Sequence, residues 1–138
     1  MECKCDNCGR LTGLHHIGVY TKDVGVSAAF YENLGFTVRY KTEMESGVRL
    51  AFAEAGSCVV ELIQPADPQK AKTGAEGTVA HIAIAVDDIE KYVCRMYDKG
   101  VKFLSESVNT VPSLFANGSK NIFFEGPSGE RLELFQEL

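Results

Sequence analysis

Long apolar runs are absent from this chain: none approaches the roughly 20 residues a membrane helix needs, and the N-terminus carries no apolar signal core. No membrane partner is expected, and a cytoplasmic location follows as the expectation. Basic charge is also scarce, with 14 Lys and Arg against 19 Asp and Glu for a formal net charge of -5. No cluster of cations is dense enough to neutralise a row of phosphates, so nucleic acid is not an expected partner. Four prolines and 13 glycines among 138 residues are too few for a linker-rich or fibrous chain. The five cysteines do not make a disulfide framework, because their number is odd and three crowd together at Cys3, Cys5 and Cys8. That C-x-C-x-x-C is one thiol short of the usual four structural zinc ligands and reads as part of a tail. Cys58 and Cys94 stand in apolar segments and read as buried free thiols.

What is present is a duplication. At 138 residues the chain suits one well-cored domain, so a repeat within it must share one core. Shifted by 65 positions, HIGVYTKDVGVSAAFYENLGFTV from His16 lies over HIAIAVDDIEKYVCRMYDKGVKF from His81. His16 matches His81, Ile17 matches Ile82, Asp23 matches Asp88 and Gly35 matches Gly100. At the end of each half VVELIQ matches RLELFQ at an offset of 72, which places Glu61 over Glu133. The added seven residues fall most simply in the polar stretch Ser105 to Gly118, as a longer loop in the second half.

Each half reads as a strand, a helix and three strands, βαβββ written twice in an α+β chain. Leu14 to Tyr20 is the first strand, and Asp23 is a helix N-cap before Val24, Phe30, Tyr31 and Leu34 at helical spacing. Val79 to Val86 is the corresponding strand, and Asp87 with Glu90 forms a capping box before Ile89, Val93 and Met96. Gly35 and Gly100 end the two helices. Turns are expected at Ser46-Gly47, Ala55-Gly56 and Pro127-Ser128-Gly129. The organisation is a tail over 1–12, a first module over 13–64, a linker over 65–77 and a second module over 78–138, together one domain.

Alternation along a strand puts His16, Gly18 and Tyr20 on one face, and His81, Ala83 and Ala85 likewise. Small neighbours beside each imidazole leave room for a ligand. If Val60 and Leu62, or Leu132 and Leu134, face the helices, Glu61 and Glu133 face the other way. One such His is usually structural and one such Glu usually lies on a solvated edge. Recurrence of both at matched positions favours a common partner, and a divalent cation satisfies two His and two Glu together.

The segments LHHIGVYTKD, FYENLGF, HIAIAVDD and FFEGPSGERLELFQ resemble the vicinal oxygen chelate superfamily, the glyoxalase and bleomycin-resistance fold, over nearly all of the chain after Leu11. The resemblance implies that the two βαβββ modules form a half-open barrel of mixed sheet around a metal that holds two vicinal oxygens of a substrate. It implies His16, Glu61, His81 and Glu133 as metal ligands, with His15 adjacent but of the wrong strand parity. All four positions are filled, which resembles lactoylglutathione lyase. The chemistry implied is proton transfer on a hemithioacetal of a 2-oxoaldehyde such as methylglyoxal, through a metal-stabilised enediolate. Glu133 is the first choice for moving the proton and Glu61 the second base. Ni, Co, Zn, Mn and Fe all suit such a ligand set.

The nearest rival is an acyl-CoA epimerase of the methylmalonyl-CoA type, which also removes an α-proton beside a chelated carbonyl. A non-haem iron dioxygenase would leave Glu61 unexplained. A small-molecule binding or resistance protein is the reading without turnover. A small-molecule substrate, possibly a thiol adduct, is expected, but Arg39, Arg49, Arg95 and Lys120 do not assemble into a thiol-recognition motif and read as surface charges. A homodimer is the expected assembly.

Overall fold

The structure is a computed structural model that describes residues 9–72, 77–125 and 131–138. Cys3, Cys5, Cys8 and the turn expected at Pro127-Ser128-Gly129 lie outside the described residues. No helix among the described residues is long and apolar enough to cross a membrane.

The chain is α+β, with mixed sheet and, among the described residues, two α-helices. Two compact units are distinguished, one of residues 16–81 and one of residues up to 15 together with 82–138. In the first, β2 (Thr37–Glu43), β3 (Arg49–Ala55), β4 (Cys58–Gln64) and β1 (Leu11–Tyr20) lie side by side in that order. The β2–β3 and β3–β4 pairings are antiparallel and β1–β4 is parallel. In the second unit the order is β5 (Val79–Val86), β9 (Arg131–Glu137), β8 (Ser119–Glu125) and β6 (Lys102–Phe103), with β7 (Asn109–Val111) also on β8. There β5–β9 is parallel and β8–β9 antiparallel. The strand–helix–strands pattern is therefore observed twice. The added stretch in the second half is not all loop, since it carries β7, a short strand that takes up the backbone groups of β8.

Helix α1 (Val24–Leu34) starts where the Asp23 carboxylate accepts from Val26 N at 3.0 Å, and ends on Gly35 at φ 107, where a side chain would be strained. Helix α2 (Ile89–Asp98) starts on Asp88, whose carboxylate accepts from Lys91 N at 3.2 Å. The capping residue is thus Asp88, the repeat partner of Asp23, and not Asp87. Asp87 instead accepts from Arg10 N at 2.6 Å and donates its own N–H to Arg10 O. That pairing shortens the expected tail, because residue 10 is tied down and β1 already runs from Leu11.

The two glutamines that end the repeated motif do a job that local spacing did not reveal. Gln64 Oε1 accepts from Val24 N and Gln136 Oε1 accepts from Ile89 N, each at 2.9 Å. Each last strand thereby satisfies an N–H of its own half's helix that no helical carbonyl can reach. Ala28, Val60 and Leu62 form a core beneath α1 with Val19, Val24 and Tyr31 against it. Ile89, Val93 and Met96 pack beneath α2 with Ile122 and Leu134. The expected linker contains a single turn of 3-10 helix, Pro68–Lys70. Cys58, expected to be buried, is exposed at the hairpin tip where β4 begins, and Cys94 is half-buried.

Candidate metal centre

Within the unit of residues 16–81 the register of β1 and β4 does the first positioning. Gly18 pairs with Glu61, and His16 stands two residues earlier on β1, on the same face as Gly18. Tyr20 N donates to Thr78 O at 2.8 Å, which holds the start of β5 beside β1. His81 follows on β5, and His16, Glu61 and His81 come together. His16 Nε2 and His81 Nε2 are 3.2 Å apart, and Glu61 Oε1 is 3.4 Å from the first and 3.2 Å from the second. All three residues are buried, His16 completely.

Gly18 explains how so much fits. A Cβ built on it would lie 2.6 Å from His81 Cε1 and 2.8 Å from Nδ1, closer than atoms approach. The small residue beside His16 leaves room for the second imidazole itself, not for a ligand as its sequence context suggested. Phe52, paired with Glu61 across β3 and β4, sets its ring edge-to-face on His16 at 5.4 Å and closes the apolar side.

Burial, the largest single influence on Glu61, would push its carboxyl up. Hydrogen bonds from His16 and His81, followed by their charges, outweigh it and lower the pKa to about 2. The group is therefore a carboxylate at any physiological pH.

This donor set suits a divalent metal. Three ligand atoms 3.2–3.4 Å apart are close enough to share one divalent ion. Two imidazole nitrogens and a carboxylate oxygen aimed at one another are also better satisfied by one cation than by shared protons.

Glu133 belongs to the other unit. It is 3% exposed and pairs with Ala83 of β5, while Ala83 stands two residues after His81. The relation of Glu133 to His81 along these strands thus repeats that of Glu61 to His16. His15, of opposite parity, indeed turns elsewhere: its Nε2 is 3.1 Å from Glu137 Oε2 and its ring lies 4.3 Å from that of Phe135.

Two polar groups escaped the sequence reading. Ser119 Oγ and Asn121 Oδ1 are buried without a hydrogen-bond partner among the described residues. Both are on β8, where Ser119 pairs with Glu137, Asn121 with Phe135 and Phe123 with Glu133, so alternation puts them on the face of β8 that accompanies Glu133. Their only sequence signal is polarity within a strand.

The sequence profile of the Glyoxalase/Bleomycin resistance protein/Dioxygenase superfamily matches residues 13–134. The chain belongs to this superfamily. YwbC of Bacillus subtilis (strain 168) is 33% identical over 128 residues, covering 89% of this chain and 96% of the relative. The human mitochondrial methylmalonyl-CoA epimerase is 32% identical over 124 residues, covering 85% of this chain and 66% of the relative. The solved structure of Streptomyces coelicolor methylmalonyl-CoA epimerase (E43L), in complex with 2-nitronate-propionyl-CoA, superposes with a TM-score of 0.75 at 28% identity. That superposition covers 93% of this chain and 96% of the other. The human and Streptomyces coelicolor relatives are epimerases and not glyoxalase-type lyases, which shifts the weight from the first functional expectation to its rival.

Proposed function

We propose that this superfamily member is a metal-dependent enzyme that removes a proton α to a thioester carbonyl and returns it to the opposite face, an epimerase of carboxy-acyl thioesters of the methylmalonyl-CoA type. The observation that carries the metal-dependent part is the convergence of His16, Glu61 and His81 on one buried point, with Glu61 held ionised. The epimerase relatives support the substrate class.

In this reading His16, Glu61, His81 and Glu133 hold the ion. When bound, the ion supplies Lewis-acid polarisation of two substrate oxygens and lowers the energy of negative charge developing between them. The chain's own carboxylates do the proton work. Glu133 Oε accepts the hydrogen from the carbon between the two carbonyls, leaving its electron pair on the substrate. Epimerisation needs delivery of a proton to the opposite face, and Glu61, a carboxylate at rest and the second base, would first have to take up a proton from solvent in order to deliver it there. Phe52 against His16 keeps that side of the site apolar and excludes water. Ser119 Oγ and Asn121 Oδ1 are available to bind the substrate beyond the reacting carbons.

A glyoxalase-type lyase acting on a hemithioacetal is the second reading, favoured by the presence of Glu at both repeated acid positions. One experiment separates them. Protein reconstituted with Ni, Co, Zn, Mn or Fe is given methylmalonyl-CoA in deuterated water, and in parallel methylglyoxal with several thiols. Epimerisation with deuterium entering at C2 of the acyl group is the expected result. Thioester formation from methylglyoxal without exchange into methylmalonyl-CoA would establish the second reading, and tight binding of either substrate without turnover would reject both.

A further inference from the structure

On β9 the residues that share the face of Glu133 are Arg131, Phe135 and Glu137, and across from them on β8 stand Phe123, Asn121 and Ser119. The two ends of this double row differ. At one end Arg131 is exposed, with its guanidinium 4.2 Å from the centre of the Phe123 ring. At the other, Ser119 is completely buried and Phe115 and Phe135 are 7% and 2% exposed. Glu133 lies between an open, cationic end and a closed, aromatic one. Phe115 closes that second end against its own backbone preference. Among the described residues it alone, glycine apart, has a positive φ, 63°, which its side chain makes strained. Its ring stands edge-on to those of Phe135 and His15, each at 6.0 Å.

Asn121 pairs with Phe135 and Ser119 with Glu137, so this aromatic wall stands at the same end as Ser119 Oγ and Asn121 Oδ1, the buried atoms without a partner. Such atoms destabilise a fold unless something meets them, and their chemistry restricts what can. Asn121 Oδ1 only accepts, so the ligand must donate, while Ser119 Oγ can donate in turn. An ionised carboxylate cannot donate, and Glu137, held by His15 Nε2 at 3.1 Å, adds negative charge at this end. A methyl group meets neither atom. It also projects only about 1.5 Å from the carbon that loses its proton, against a step of about 7 Å along the strands from the Glu133 pair to the Asn121 pair. A carboxamide on a short arm spans the step, giving an N–H to Asn121 and a carbonyl to Ser119. The long, phosphate-bearing carrier of a CoA thioester needs an open exit with a cation, which Arg131 marks, and leaves the closed end to the substituent on the α-carbon.

Resting on the thioester reading above, we propose that Ser119 and Asn121 form a subsite for the α-substituent of the acyl group, walled by Phe115, and that the preferred substrate carries there a neutral carboxamide and not a bare methyl. The test compares malonyl-CoA thioesters that differ only in that substituent: carbamoylmethyl, its apolar isostere 2-methylpropyl, and methyl. Calorimetry on the metal-reconstituted protein should give the carbamoylmethyl thioester a dissociation constant lower than that of the isostere by about tenfold or more, because a site built around a hydrogen-bonded group rejects an analogue that lacks it. In Ser119→Ala with Asn121→Leu the preference should vanish or reverse, with thermal unfolding checking the fold. Ser119→Ala alone, a milder change, should reduce it. Phe115→Gly suits the positive φ and removes the wall, so it should admit the longer 2-carbamoylethyl group that wild type excludes. Equal affinity of wild type for carbamoylmethyl and 2-methylpropyl, as polar atoms satisfied by water alone would give, overturns the proposal, and so does failure to bind any of the thioesters. A preference that survives removal of both polar side chains, or a length limit unchanged in Phe115→Gly, overturns it equally. A carboxamide preference in binding without α-proton exchange on any thioester supports the subsite and sinks the epimerase reading, so the two failures are read separately.

Discussion

In β1, Gly18 follows His16 by two residues and pairs with Glu61; in β5, Ala83 follows His81 by two residues and pairs with Glu133. The register is the same, but the small residues differ by one methyl group. Gly18 is pressed by the His81 imidazole, whereas Ala83 is completely buried with its methyl in place. The halves therefore keep one plan for placing a His and a Glu while diverging where only one of them must make space. The helices teach the same lesson, with matched inward faces and glutamine-satisfied starts but opposed outward faces. Duplication preserved what the fold and the His-Glu placement require and released the rest.

The comparison breaks most completely if the two histidines are not equivalent. His16→Ala and His81→Ala should each abolish stoichiometric metal binding, measured by elemental analysis of the purified protein, and turnover should go with it. Retention of metal by either variant would reject the shared centre. Next, Glu133→Gln keeps size and an oxygen donor but removes the base, so turnover per bound ion should fall by about 10²–10⁴-fold, with loss of deuterium incorporation. If turnover falls only as far as metal occupancy falls, Glu133 is a ligand alone and the base is Glu61.

A smaller effect sharpens the contrast between Gly18 and Ala83. Gly18→Ala forces the His81 ring to move and should weaken metal affinity by about 10–100-fold, as loss of a group that orients a ligand does. Ala83→Gly removes no such support and should cost only about 0.5–1 kcal/mol of stability, through backbone freedom. Titration with metal and denaturant unfolding measure the two, and equal effects on affinity would contradict the packing described for Gly18. The smallest expected effects are also the most alike: Gln64→Ala and Gln136→Ala each strand one helix-start N–H and should each cost about 1 kcal/mol in denaturant unfolding.

Much of this was legible in the residues. Asp23 and Gly35 bracket α1 because a carboxylate cap and a left-handed glycine are local requirements, and the 65-residue repeat carried the layout to the second half. Parity alone turned Val60 and Leu62 inward and left Glu61 on the other face. Local rules misplaced the second cap at Asp87, because spacing to Glu90 suggested a capping box and gave no sign that Arg10, 77 residues away, holds Asp87. Gln64 and Gln136 read as ordinary strand ends, since their partners lie 40 and 47 residues distant.

By itself the sequence determined the duplication, the element order and which residue types recur at matched positions, because these depend on period, caps and spacing along one chain. Tertiary structure decided that His16, Glu61 and His81 meet within 3.2–3.4 Å, that Gly18 makes way for an imidazole and that Glu61 stays ionised. Tertiary structure also left Val26 and Phe30 of α1 uncovered. Distances, desolvation and exposure depend on which distant segments pack together, and strand parity fixes a side chain's face without fixing what it meets there.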